Sequence, residues 1–373
     1  MIYLDYSANT PAAPAVLEAF CKTEQAYTGN PNSNHPSGQA ARAELARATA
    51  HIADLLGVMP SEILYTSGAS ESNNLAVKGI ARACRHQGKH IISTALEHAS
   101  VGGALTALQA QGYEVDLVDI RRDGTLDLEQ LAGLLRPDTV LVSVCAVDSE
   151  LGTIQPIRQI AGLLKDFPNC HLHVDATQAA GKTGLVWDGV DTMSLAPHKF
   201  YGLNGSGLLL KRSGLVLEPL IHGGSSTSVY RSGTPALALA VSTEKALELL
   251  QEDQSRRLAH VRELNSRLRA ALLHYPAVRI NSPEGAVPHI LNLSVQGVKG
   301  TVFQRALGNR GVCVSVKSAC STDGTPSKAV YAVSRDRKNA LSSWRISLSH
   351  LTTQAELDAF LQIFDQCYQE LVP

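Results

Sequence analysis

The residues best suited to chemistry lie between 171 and 207, in HLHVDATQAAGKTGLVWDGVDTMSLAPHKFYGLNGSG. A short run with β-branched Val174 ends on an acid, Asp175, followed by Thr177 and Gln178. A second apolar run, 193–195, leads to His198 and Lys199 in a glycine-bearing turn. In an open α/β sheet, residues just past the carboxyl ends of strands face the ligand crevice. Two neighbouring strand ends would therefore present a carboxylate and an amine to one cavity. Singly, each has an ordinary reading: a helix-capping Asp and a solvated Lys. Together they match what pyridoxal phosphate needs, a lysine for the Schiff base and an acid to keep the pyridinium nitrogen protonated.

The flanking elements supply further groups. A strand over 62–65 breaks into Thr66, Ser67, Gly68, Ala69 and Ser70, and a helix runs on from about Glu71. Free backbone N–H groups at a helix start, beside small hydroxyl residues, suit a phosphate. The same pattern also serves as a plain cap. Glu97 and His98 stand where another strand gives way to a helix. The strand–helix alternation from about Glu62 to Gly207 predicts an α/β fold with a mostly parallel sheet covered on both faces.

A helix over roughly 257–274 leads into a smaller α+β part. Its strands are expected near 277–280, 289–294 and 312–315, with a last strand in SSWRISLS and an amphipathic final helix. The expected division is a large domain, 12–255, and a small domain made of 1–11 and 256–373.

Length and composition agree with that plan, since 373 residues exceed one ordinary core. A net charge of -1 leaves no electrostatic footprint for nucleic acid or an anionic membrane. No apolar run approaches roughly 18 residues, and Met1 runs straight into IYLDYSANTP with no signal-peptide pattern. Seven cysteines, an odd number without CxxC or metal-ligand spacing, predict a reducing, cytoplasmic setting and no metal site.

Nine stretches in order resemble the NifS/IscS-like cysteine desulfurases of the class V aminotransferase group: LDYSANTP, GNPNSNHPSGQ, ILYTSGASESNNLAVKG, EHASV, HVDATQAAGK, APHKFYG, RSGT, KSACS and SSWRISLS. The resemblance spans essentially the whole chain and implies fold type I of the pyridoxal-phosphate enzymes. It implies that Lys199 carries the cofactor, Asp175 pairs with the pyridine nitrogen, and His98 stacks on the ring and moves protons. Gln178 would meet the phenolic oxygen, while Ala69 (by its backbone), Ser70 and His198 would hold the phosphate. Thr234 is similar to the residue that reaches that phosphate from a second subunit, which implies a homodimer. Arg345, with Asn9, would bind the substrate, a bidentate guanidinium suiting its α-carboxylate.

The implied activity turns L-cysteine into L-alanine and passes sulfur to an acceptor protein, in iron–sulfur cluster or thio-cofactor biosynthesis. Cys320 lies among small polar residues, SACSTDG, typical of a loop, where a thiol can ionise and take the sulfur as a persulfide. The six other cysteines lie in apolar or helical surroundings. A related lyase, acting on selenocysteine or on a cysteine conjugate, and a catalytically silent scaffold are the alternatives.

Four places depart from the family's pattern. Asp148 and Ser149 replace a paired Asn, Ala196 replaces a Ser, Ser225-Ser226-Thr227 follows the Gly223-Gly224 pair, and Leu203-Asn204 stands within the turn after Lys199.

Overall fold

The computed structural model describes residues 1–224, 228–317 and 325–372. Cys320 and the Ser225–Thr227 departure lie outside the described residues. The chain opens on a two-residue strand, β1 (Ile2–Tyr3), and two helices, Pro14–Ala26 and Pro36–Leu56. Each helix has Pro in its first turn, where the missing N–H costs nothing. The second ends at Gly57, whose φ of 66° provides a left-handed cap.

Seven strands then build the main sheet: β2 (Ile63–Thr66), β3 (His90–Thr94), β4 (Glu114–Val118), β5 (Thr139–Cys145), β6 (His171–Asp175), β7 (Thr192–Leu195) and β8 (Gly207–Lys211). Their spatial order is β2-β8-β7-β6-β5-β3-β4. β8 runs antiparallel to both neighbours, and the remaining pairs are parallel. The sheet is mixed but mostly parallel, as the alternation predicts. β5, TVLVSVC, is buried along its whole length, the pattern of a strand covered on both faces.

The register fixes the site. Cys145 of β5 pairs with Asp175 of β6, which pairs with Ser194 of β7, so three adjacent strands end level with one another. Helix Ala69–Ala83 starts at this edge, slightly earlier than its sequence suggests. Gly68, at φ 152°, admits the sharp entry, and a Cβ on Gly207 would fall 2.5 Å from the Gly68 Cα. Two glycines therefore let this helix start sit directly on β8.

The C-terminal part holds β9 (Val278–Ile280), β10 (Ile290–Val295), β11 (Val312–Cys313) and β12 (Ser343–Ser347). β12-β10-β9 is antiparallel, and β11 pairs with β1, which brings the first residues of the chain into this part. Phe303 stacks on Trp344 at 5.4 Å, and Phe360 and Phe364 close the same core, shared by Leu4. Val287, Ile290, Ala329, Val330 and Ala340 instead pack into the core of the main sheet, so apolar contact is continuous between the two parts.

Candidate active site

A cavity of about 370 Å³ lies at the carboxyl ends of β5, β6 and β7. Ala69, Ser70, His98, Asp175, Gln178, His198, Lys199 and Arg345 all line it. Eight residues spread over 276 positions of sequence thus meet at one place.

Lys199 arrives by a short 3-10 turn, Pro197–Lys199, that follows β7 directly. The strip before the first helix clamps this turn. Thr10 donates to the His198 carbonyl from both N–H (3.0 Å) and Oγ1 (2.8 Å), and Tyr201 N–H donates to Thr10 Oγ1 at 2.8 Å. Those bonds hold Tyr201 at φ 69°, a conformation a bulky residue seldom adopts. The Lys199 ammonium donates to the carbonyls of Ser7 and Ala8, each at 2.7 Å. Asn9 is not among the residues lining the cavity, whereas Ser7 and Ala8 are; its carbonyl accepts from Tyr3 Oη instead.

Asp175 is held from two sides. Thr177 N–H donates to Oδ1 at 3.0 Å, and Asn73 Nδ2 donates to Oδ2 at 2.8 Å. Asn73 is fully buried on the helix that begins at Ala69. Its Nδ2 also donates to Ser100 Oγ (2.9 Å), which contacts His98 Nδ1 (2.8 Å). Its Oδ1 faces His173 Nε2 at 3.1 Å, and His173 Nδ1 faces Thr192 Oγ1 at 2.9 Å. The donors order themselves: Asn73 Oδ1 can only accept, so His173 Nε2 carries a proton and Nδ1 accepts from Thr192. Burial pushes His173 well below the usual histidine range, consistent with a neutral ring.

His98 caps the helix Ala99–Gln109, its Nδ1 accepting from Ser100 N–H at 3.2 Å. The proton of its neutral form therefore sits on Nε2. Burial lowers its pKa, nearby Asp175 raises it and Lys199 lowers it. Burial, with the charges of Lys199 and Lys182, brings His198 down to about 4.

Arg345 is not a solvated edge-strand charge. It is 2% exposed, with Nη2 on Asp5 Oδ1 at 2.9 Å and Nη1 on the Ser149 carbonyl at 2.6 Å. Among the described residues, its Nε has no partner. Asp148, at the paired-Asn departure, is buried and raised to about 7, chiefly by desolvation and then by Glu150. Ala196 is fully buried where it precedes the Lys199 turn. Thr234 lines a separate groove with Tyr65, Tyr230 and Arg231. The described cysteines are all free, and Cys21 is exposed on the helix Pro14–Ala26.

Asn73, Ser100 and His173 are site residues that the sequence analysis does not single out. His173 precedes Asp175 by two and so shares its strand face, and Asn73 is a polar residue on a helix otherwise packed with Leu75, Ala76 and Ile80. Both signals are readable but weak.

These residues fit pyridoxal phosphate. The helix start at Ala69 and Ser70 offers backbone donors unused by the helix. Ser7 Oγ and Thr177 Oγ1, both on the cavity wall, are buried without partners among the described residues, as expected of groups that meet a polar ligand. Fold and site together define a fold type I pyridoxal-phosphate protein.

Comparison with known proteins narrows the class. The aminotransferase class-V family model matches residues 2–360. A NifS/IcsS protein homolog of Lactobacillus delbrueckii subsp. bulgaricus is 39% identical, covering 99% of this chain and 97% of its own. The cysteine desulfurase IscS of Dictyoglomus turgidum is 35% identical, covering 99% and 95%. The solved structure of a NifS-like protein superposes with a TM-score of 0.93 at 33% identity, covering 99% of this chain and all of the other. The chain belongs to the class-V aminotransferase family, in its NifS/IscS-like cysteine desulfurase branch.

Proposed function

We propose that the protein is a pyridoxal-phosphate cysteine desulfurase that converts L-cysteine to L-alanine and holds the sulfur as a persulfide on Cys320. The observation that carries the reading is the convergence of Lys199, Asp175, His98, Arg345 and a helix N-terminus on one cavity. Bound, the cofactor acts as an electron sink for the substrate's α-carbon and makes its C–S bond labile. Lys199 would hold the cofactor through its amine, at the place the substrate amine takes over. Asp175, kept in place by Asn73 and Thr177, holds the ring nitrogen's proton. Gln178 donates to the phenolic oxygen, and Ala69, Ser70 and His198 take the phosphate.

His98, with the proton of its neutral form on Nε2, would face the bound ring and carry a proton to or from the substrate carbon. Arg345 receives the α-carboxylate, pre-aimed by Asp5 and Ser149. The Cys320 thiolate forms the S–S bond as the C–S bond breaks, and the carbon keeps the electron pair and takes a proton to leave as alanine. Thr234, in its separate groove, completes the phosphate site of a second copy, giving a homodimer. Residues 12–255 form the cofactor domain, and 1–11 with 256–373 the domain that carries Cys320. Among the described residues, no helix is long and apolar enough to cross a membrane. The working place is the cytoplasm, and the product sulfur goes to an acceptor protein.

The test is incubation with L-cysteine, followed by alanine quantification and mass analysis of the Cys320 peptide. Alanine release with one sulfur added to that peptide is the expected result; no alanine from cysteine overturns the reading. Cys320→Ser is expected to keep the yellow chromophore while losing sulfur transfer to an acceptor. Loss of bound cofactor in that variant overturns the role given to the thiol.

A further inference from the structure

Lys182 is a buried basic group that the reading above does not use, its pKa brought down to about 7 by burial and then by the charges of Lys199 and Arg345. The chain doubles back at Gly181, φ 75°, where a Cβ would strike Leu250, and this sends the next side chain inward. Lys182 is 9% exposed and does not line the cavity, lying instead in the hollows behind it with His289 and Gln254. Its ammonium donates to Gln178 Oε1 at 2.5 Å, and among the described residues it belongs to no ion pair. Its charged and titratable neighbours are Lys199 on the 3-10 turn, Arg345 on β12, and His198 and His289. All are basic groups. A buried ammonium beside other cations is costly unless it does something specific.

The geometry shows what it does. An ammonium only donates, so the Gln178 atom facing Lys182 is the carbonyl oxygen. The other end of the amide then presents Nε2, which donates to the Ser7 carbonyl at 2.9 Å. That carbonyl also accepts from Lys199. Nε2 has a second hydrogen, and Gln178 lines the cavity. The Ser7 carbonyl at one end and Lys182 at the other both oppose the flipped amide, which would point an acceptor at the cavity; without Lys182 only the Ser7 bond opposes it.

We propose that Lys182 is a positioning residue that acts through Gln178, locking the amide with its N–H donor toward the cofactor's phenolic oxygen and adding positive potential beside Lys199. The proposal rests on the placement of Gln178 given above. Both effects favour the deprotonated form of the linkage at Lys199, so removing Lys182 raises the pH at which the loaded enzyme's visible absorbance changes.

The experiment is a pH titration of that absorbance in cofactor-loaded wild type, Lys182→Met, Gln178→Leu and the double variant. Lys182→Met is expected to retain full cofactor stoichiometry and to move the midpoint up by roughly one unit. Gln178→Leu is expected to move it in the same direction, and the double variant by less than the two shifts together. Lys182→Gln replaces Lys182→Met if that variant does not fold. A midpoint unchanged in Lys182→Met but raised in Gln178→Leu overturns the proposal and leaves the Gln178 placement standing. Midpoints unchanged in both overturn the two together. A lowered melting temperature with an unmoved midpoint shows a structural lysine and also overturns the proposal.

Discussion

The two walls of the cavity are built on opposite principles. On the Asp175 side, the chain Thr192–His173–Asn73–Asp175, with Ser100 and His98 attached, is made of neutral groups around a single carboxylate. Nearly every polar atom there has a partner. On the Lys199 side, Lys199 and Arg345 stand together beside a neutral His198, with Lys182 behind them, and Asp5 is the carboxylate that pairs with Arg345. The first wall is largely satisfied, with Thr177 Oγ1 left open to the cavity among the described residues. The second carries an excess of positive potential that anions such as a phenolate, a phosphate or a substrate carboxylate would relieve. One wall orients, and the other attracts.

The largest expected effect breaks the cationic wall at its centre. Lys199→Ala is expected to lower alanine release by at least roughly 10³-fold, since among the described residues Lys199 is the lysine that lines the cavity and Lys182 lies behind it. Retained turnover would remove the assignment of that side altogether. Next, Arg345→Lys keeps the charge but loses the fork shared by Asp5 and Ser149. The KM for L-cysteine is expected to rise about tenfold to a hundredfold with a smaller change in kcat. An unchanged KM would place the substrate carboxylate elsewhere.

The orienting wall is tested by Asn73→Ala, which leaves Asp175 Oδ2, His173 Nε2 and Ser100 each short of a partner. A stability loss of about 2 kcal/mol in urea unfolding is expected, with reduced turnover. A fully stable, fully active variant would show that the network does not hold Asp175.

The smallest effects are in pH dependence. Burial pushes Glu97 up to about 8, and Thr94 and Cys145 donate to its Oε1 while Oε2 stays unpartnered among the described residues. A carboxyl raised in the fold contributes stability below its unfolded pKa of about 4.5 and loses it as pH rises through about 8. Glu97→Gln is therefore expected to match wild type near pH 5 and to exceed it near pH 8 in urea midpoint. Buried, neutral His289, brought down to about 3 by desolvation, works in the opposite sense. Its stabilising share is present above the unfolded histidine pKa, about 6.5, and declines as pH falls from there toward 3. His289→Asn is expected to flatten the acid limb, and an unaltered limb would assign it to other groups.

Much of this was legible beforehand where a local rule and a global one agreed. Asp175 ends β6 and Lys199 stands in the turn that follows β7, and strand ends meet at the crevice of an open parallel sheet. The start of the helix at Ala69 was readable from its Ser and Gly residues, to within two positions. Arg345 was harder. Its strand reads as an ordinary edge strand, and only the pairing with Asp5, 340 positions away, buries it. Asn73 and Lys182 were unreadable as more than a helix polar and a turn lysine, because their meaning lies in the partner each faces.

Residue types and their order along the chain settled the class of fold, the cofactor and a carboxylate and an amine that line one cavity, because periodicity and strand-end chemistry are local properties of the chain. The three-dimensional arrangement alone decided which polar atoms are spoken for and which remain for a ligand. Hydrogen-bond direction, burial and the sum of neighbouring charges depend on contacts between segments hundreds of residues apart. That is why the neutral relay behind Asp175 and the uncompensated ammonium behind Gln178 emerge only once the sheet is folded.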